Sequence, residues 1–91
     1  GIIIAGSAAR VAAETDFLVF TGNFCGYCSA LKNYLPSKGM TFTEYNMDEY
    51  PGLREDVVNA TRHRTVPVVF DLRSGVPEFI GGFDETRAFL G

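Results

Sequence analysis

The chain is short of cysteine and histidine, has no surplus of positive charge, and has no long apolar run. Each shortage excludes something. Two cysteines, Cys25 and Cys28, fall below the four or more that a disulfide framework uses. A bridge between them would close a loop of only a few residues, where chain-entropy stabilisation is smallest. Their presence therefore gives no reason to place the protein outside the cell. His63 is the only histidine, so two cysteines and one histidine fall short of the four ligands of a closed structural zinc site. No metal site is expected from them. Eight Lys and Arg against eleven Asp and Glu leave a net charge of −3, which argues against a nucleic-acid surface. No apolar stretch approaches the roughly 20 residues of a membrane span. Internal repeats and low-complexity runs are also missing.

What is present suits one small folded domain. At 91 residues the chain buries about 60–65% of its unfolded surface, a modest core. Eight Phe and four Tyr supply its bulk. The N-terminal stretch GIIIAGSAARVAAE stands apart. It is too short for a bilayer and lacks the basic start of a secretory signal. It reads as a frayed helix, a remnant of expression or a genuine extension. Residues 1–15 are therefore set aside, and the domain is placed at 16–91.

From residue 16, DFLVFT is a short apolar, partly β-branched run ending at Gly22-Asn23, a buried strand followed by a turn. From Gly26 the period changes. Cys28, Leu31, Tyr34 and Leu35 fall at helical spacing, and Pro36 is expected to stop that helix. Residues 41–46, TFTEYN, alternate and form a second strand, parallel to the first across a right-handed crossover. Acidic residues and Pro51 mark a helix start at 48–52, with Leu53, Val57, Val58 and Ala60 as its apolar stripe. Val68-Val69-Phe70 and Glu78-Phe79-Ile80 make a hairpin, the latter an edge strand entered by Pro77. Gly81-Gly82 breaks it, and Asp84 is expected to cap a final short helix. The order β-α-β-α-β-β-α predicts an α/β fold: a four-stranded mixed sheet with helices on both faces.

This places FCGYC, residues 24–28, at a strand-to-helix junction. The first N–H groups of a helix lack internal partners and carry about half a positive charge. A thiolate at Cys25 is stabilised there. An ordinary thiol with pKa about 8.5 is only about 3% ionised at pH 7, and such a site can lower that pKa to roughly 3.5–7.5. Only the thiolate attacks disulfides. Cys28, one turn on and opening the apolar stripe, should be the more buried. Cys25 is expected to attack and Cys28 to resolve. CxxC at the junction of a βαβ unit is the pattern of a thioredoxin-like redox motif.

With these residues in place, the sequence resembles the glutaredoxins of the thioredoxin superfamily, most closely compact phage and bacterial dithiol members. Three blocks carry the likeness: Cys25-Gly26-Tyr27-Cys28, Arg64-Thr65-Val66-Pro67 and Gly81-Gly82-Phe83-Asp84. It extends over residues 16–90. The resemblance implies the thioredoxin-like fold and a glutathione-dependent thiol–disulfide oxidoreductase with Cys25 and Cys28 as catalytic residues. It implies a cis Pro67 beside the cysteines. It further implies a glutathione groove made by Tyr27, Arg64, Thr65, Val66, Pro67, Gly81, Gly82, Phe83 and Asp84. Within it Val66 would pair with the tripeptide backbone, Asp84 would meet the γ-glutamyl ammonium, and Arg64 would attract the glycine carboxylate. Expected partners are glutathione and disulfide-containing or glutathionylated proteins.

Two departures matter. Gly22 stands where many members carry lysine, which removes a charge worth about 0–1 kcal/mol when exposed. Gly26 stands where proline is commonest. In the family, glycine there goes with members that hold a [2Fe-2S] cluster between two subunits, with Cys25 and glutathione as ligands. Cluster carriage by a dimer is thus one alternative. Reduction by thioredoxin reductase, with ribonucleotide reductase as recipient, is another. A cytoplasmic monomer is the expectation for the main reading. His63, Lys32 and Lys38 read as a helix-end residue and surface charges.

Overall fold

In the computed structural model, residues 3–5, 8–10 and 15–91 are described. Two short strands, β1 (Ile3–Ala5) and β2 (Ala8–Arg10), pair antiparallel as a separate two-stranded sheet. Residues 3–5 and 8–10 are therefore not a frayed helix; the β-branched Ile3 and Ile4 suit a strand better.

The domain sheet has the order β4-β3-β5-β6, with β3 Phe17–Thr21, β4 Phe42–Asn46, β5 Val68–Asp71 and β6 Glu78–Gly81. β4 runs parallel to β3, and β5 and β6 are antiparallel to their neighbours. The mixed sheet and element order agree with the expectation from the sequence. Every residue of β3 and of β5 is buried, so both central strands carry apolar runs, residues 17–20 and 68–70, rather than alternation, each closed by a buried polar residue, Thr21 or Asp71. On one face Leu18, Phe20, Val68 and Phe70 pack with Met47 and with Leu53 and Val57 of helix α2 (Leu53–Thr61). On the other, Phe17, Val19 and Val69 meet Leu31 and Leu35 of α1 (Gly26–Ser37), with Phe83 and Leu90 of α3 (Phe83–Leu90) against them. Burying such a side chain stabilises by about 1.5–3 kcal/mol, so this double-sided core holds the sheet ends in place.

Four local expectations are corrected. Pro36 does not stop α1 but lies inside its last turn. The helix ends at Lys38-Gly39, where Gly39 takes φ +73 and the Gly39 and Met40 N–H groups donate to the Pro36 and Leu35 carbonyls. Residues 47–49 form a 3-10 turn, with the Asp48 N–H donating to Asn46 Oδ1 (2.9 Å), so α2 starts only at Leu53. Val58 and Ala60 are half-buried, leaving Leu53 and Val57 as the buried stripe of α2. Finally, Asp84 is not the cap of α3. Gly82 is, and its N–H donates to Glu85 Oε1 (2.7 Å), while buried Thr86 donates to the Gly82 carbonyl (2.8 Å). Glu85 is the residue whose carboxylate reaches back by one turn.

The carboxyl ends of β3, β4 and β6 and the start of β5 lie at one end of the sheet. At the opposite end Asp16 ties residues 41 and 72, its Oδ2 accepting from the Thr41 N–H (3.0 Å) and its carbonyl from the Leu72 N–H (2.8 Å). Asp71 there takes two bonds from the Arg73 guanidinium, both 3.0 Å. The Arg73 donors hold the Asp71 carboxyl below the usual carboxylate range, and that carboxylate raises Arg73 in turn.

Candidate active site

β3 delivers the chain to Gly22, and α1 begins three residues beyond Asn23. Cys25 is the N-cap of α1, and its Sγ accepts the Cys28 N–H at 3.1 Å. This is the orphan-donor geometry expected to favour a thiolate at Cys25 in the reduced protein. Cys25 and Cys28 are joined as a disulfide, with Cα atoms 5.3 Å apart. Cys28 is 3% exposed and Cys25 is half-buried, the inequality that an attacking and a resolving sulfur require. Among the described residues there is no group of three or more His, Cys, Asp or Glu placed to hold a metal ion.

The Val66–Pro67 peptide is cis, and Cys25 Sγ lies 3.8 Å from the Val66 carbonyl oxygen. From there a groove of about 560 Å³ opens, walled by Tyr27, Arg64, Thr65, Val66, Pro67, Gly82, Phe83 and Asp84 among others. The structure thus brings together eight of the nine residues named as the binding groove. The ninth, Gly81, lies behind the wall. It takes φ +131, and a Cβ there would come within 2.8 Å of the Glu85 side chain, so the Glu85 stem covers it. Gly82 does face inward: a Cβ on it would stand 3.4 Å from the Pro67 carbonyl. Tyr27 is 64% exposed, and its ring centroid is 6.2 Å from that of Phe83. Asp84 is exposed in the first turn of α3.

Three groove residues were not anticipated: Arg54, His63 and Glu85. His63 follows the left-handed Arg62 that ends α2. It bonds Thr65 Oγ1 through Nε2 (2.9 Å) and sets its ring edge against Phe79. Arg54 is the most informative. Its Nη2 would lie 3.1 Å from a Cβ at Gly22, and Asp48 Oδ2 would lie 3.2 Å from it. The space a side chain at position 22 would enter is thus filled by a guanidinium. Arg54 bonds Asp48 Oδ1 (2.9 Å), and Asp48 Oδ2 accepts the Asn23 N–H (2.7 Å). The Asn23 donor, then Arg54, holds the Asp48 carboxyl below its usual range. No local pattern could have shown this, because the pairing depends on how α2 packs against the end of β3.

Residues 17–72 match the glutaredoxin family model. Escherichia coli (strain K12) Glutaredoxin 3 is 33% identical over 70 residues, covering 77% of this chain and 80% of that protein. Among solved structures, a wheat glutaredoxin superposes with TM-score 0.72 at 28% identity, over 85% of this chain and 73% of that one. A buckwheat glutaredoxin–glutathione complex gives 0.70 at 27%, over 81% and 66%.

Proposed function

Because the chain belongs to the glutaredoxin family, we propose that it is a glutathione-dependent thiol–disulfide oxidoreductase in which Cys25 attacks, Cys28 resolves and the adjoining groove seats glutathione. The observation that carries this reading is the placement of Cys25: a helix N-cap sulfur, bonded by the Cys28 N–H and 3.8 Å from Val66 at the head of the groove.

The Cys25 thiolate attacks the glutathionyl sulfur of a glutathionylated protein and forms a Cys25–glutathione disulfide as the bond to the protein sulfur breaks, and the protein thiolate leaves and takes a proton from water. A second glutathione thiolate then attacks the glutathionyl sulfur on Cys25, forming glutathione disulfide and restoring the thiolate. On a protein disulfide, the same attack gives a mixed disulfide with the protein. The Cys28 thiolate displaces the protein thiolate from Cys25 and forms the Cys25–Cys28 bond, the state present here. Two glutathiones reduce that bond, each giving up one electron.

In the groove, Val66 offers its backbone to the tripeptide as an added strand would. The Asp84 carboxylate meets the γ-glutamyl ammonium, and the N-terminus of α3 meets its carboxylate. Arg54 and Arg64 face the glycine carboxylate. Arg54 supplies the cation that Gly22 does not, so the charge lost from the strand end returns from α2. The protein substrates proposed are disulfide-bearing and glutathionylated proteins, with ribonucleotide reductase one candidate recipient, in a reducing cytoplasm.

Cluster carriage would need Cys25 reduced and exposed in two copies, with glutathione thiolates completing the set. A Cβ on Gly26 would meet nothing within 4 Å, so packing within the subunit does not require glycine there. Anaerobic reconstitution with iron, sulfide and glutathione should leave a colourless monomer; a coloured dimer would favour the cluster. The deciding assay couples turnover either to glutathione with glutathione reductase or to thioredoxin reductase. Turnover with the first supports the reading, and turnover with the second alone contradicts it.

A further inference from the structure

Among the residues whose burial is described, Phe24 is the one large apolar side chain in complete solvent exposure, at 106%, and it precedes the attacking cysteine. Its backbone takes φ +56, the left-handed region that glycine and asparagine occupy readily and bulky residues do not. The conformation is fixed from both sides. Upstream, the Asn23 N–H donates to Asp48 (2.7 Å), and Asn23 Oδ1 accepts from Asn46 Nδ2 (2.9 Å). Downstream, Cys25 caps α1. The backbone on either side of Phe24 is therefore set by these bonds, and its side chain is directed into solvent. Phe24 gains no burial from this position and has a backbone that would suit glycine better. A strained residue at a functional site points to a role outside the fold.

We propose that Phe24 is a contact residue for protein substrates: it seats an apolar side chain (Leu, Met or aromatic) flanking the substrate cysteine, and so sets a preference among glutathionylated proteins. The proposal rests on the oxidoreductase reading. Phe24 is absent from the groove walls, so a tripeptide seated there leaves its ring uncovered. It is nonetheless covalently next to Cys25, so a polypeptide whose glutathionyl sulfur is attacked by Cys25 brings its own cysteine, one S–S bond further out, and that cysteine's neighbours close to the Phe24 ring. Tyr27 does not duplicate the role, because its ring leans on Phe83 across the groove.

The test compares two glutathionylated peptides of equal length, one with Leu and one with Ser beside the cysteine. The mixed disulfide of cysteine and glutathione is the reference substrate. Wild type should prefer the Leu peptide in kcat/KM, and Phe24→Ala should cut the Leu-to-Ser ratio by about fivefold to tenfold, the scale of one lost apolar contact. Phe24→Gly should do the same while raising the thermal midpoint or leaving it level. An unchanged ratio in both variants overturns the proposal. So does a lower midpoint in both, which would make Phe24 a packing residue. Failure of wild type on all three substrates overturns the oxidoreductase reading and this inference with it.

Discussion

Two aspartate–arginine pairs sit at opposite ends of the same sheet, and they do different work. At the far end, Asp71 is 7% exposed and holds Arg73 through two parallel bonds of 3.0 Å, while the guanidinium lies over the Phe17 ring at 5.1 Å. At the cysteine end, Asp48 holds Arg54 by a single nitrogen (2.9 Å), both side chains are well exposed, and the guanidinium faces the groove. Identical chemistry thus closes one end of the fold and leaves a cation available at the other. An arginine with its fork spent on a carboxylate and its face on an aromatic ring is structural. An arginine tethered at one corner over an open groove can still meet a ligand.

Substitutions can break or sharpen this contrast. The largest effect belongs to the cysteine end. Cys25→Ser should lower all turnover by on the order of a thousandfold or more, with folding intact, because it removes the nucleophile itself. Cys28→Ser should keep deglutathionylation and lose reduction of protein disulfides. Equal loss in both variants, read from the two assays side by side, would contradict the division of roles. At the far end Arg73→Ala should destabilise by about 1–2 kcal/mol, from the ion pair and the ring contact together. In a domain of this size that is a fall of about 5–15 °C in the thermal midpoint. Its kcat should stay at the wild-type value. Arg54→Gln should do the converse: KM for glutathione rises about threefold to tenfold, as for one partly exposed charge-assisted bond, while the midpoint stays put. A drop in stability without a change in KM would make Arg54 a structural residue like Arg73.

The smallest effect is on pH dependence. Asp71 and Asp48 both have folded-state pKa values below the unfolded value. Each therefore contributes stability that is present above about pH 3.9 and is lost as pH falls through its folded value. Thermal melts between about pH 5 and 2 should flatten more with Asp71→Asn than with the exposed Asp48→Asn. The reverse order would undo the contrast between the clasped and the open pair.

Much of the fold was legible because it rests on short-range pattern. DFLVFT reads as a buried strand and Val68-Val69-Phe70 as a strand from local pattern alone, and the change of period at Gly26 marks the helix that carries Cys28 and Leu31. The redox pair was legible because spacing and junction are both local. The misses have tertiary or fine backbone causes. Pro36 reads as a breaker, yet the helix runs one residue beyond it to Ser37 and is ended by the turn at Gly39. Asp84 looks like a cap, but the Glu85 stem folds over Gly81 to reach the Gly82 N–H. Arg54 looks like one more charge on a helix, and only the packing of α2 brings it to Gly22. Phe24 reads as one more residue of the strand-to-helix junction, and nothing in its neighbours foretells a left-handed backbone.

The central claim is that the opening turn of α1 holds the Cys25 sulfur as an anion, and thiolate absorbance followed against pH tests it most directly. In the reduced Cys28→Ser protein only one thiol remains to titrate. The account predicts ionisation within roughly pH 3.5–7.5. A midpoint near 8.5, that of an ordinary cysteine, would contradict it.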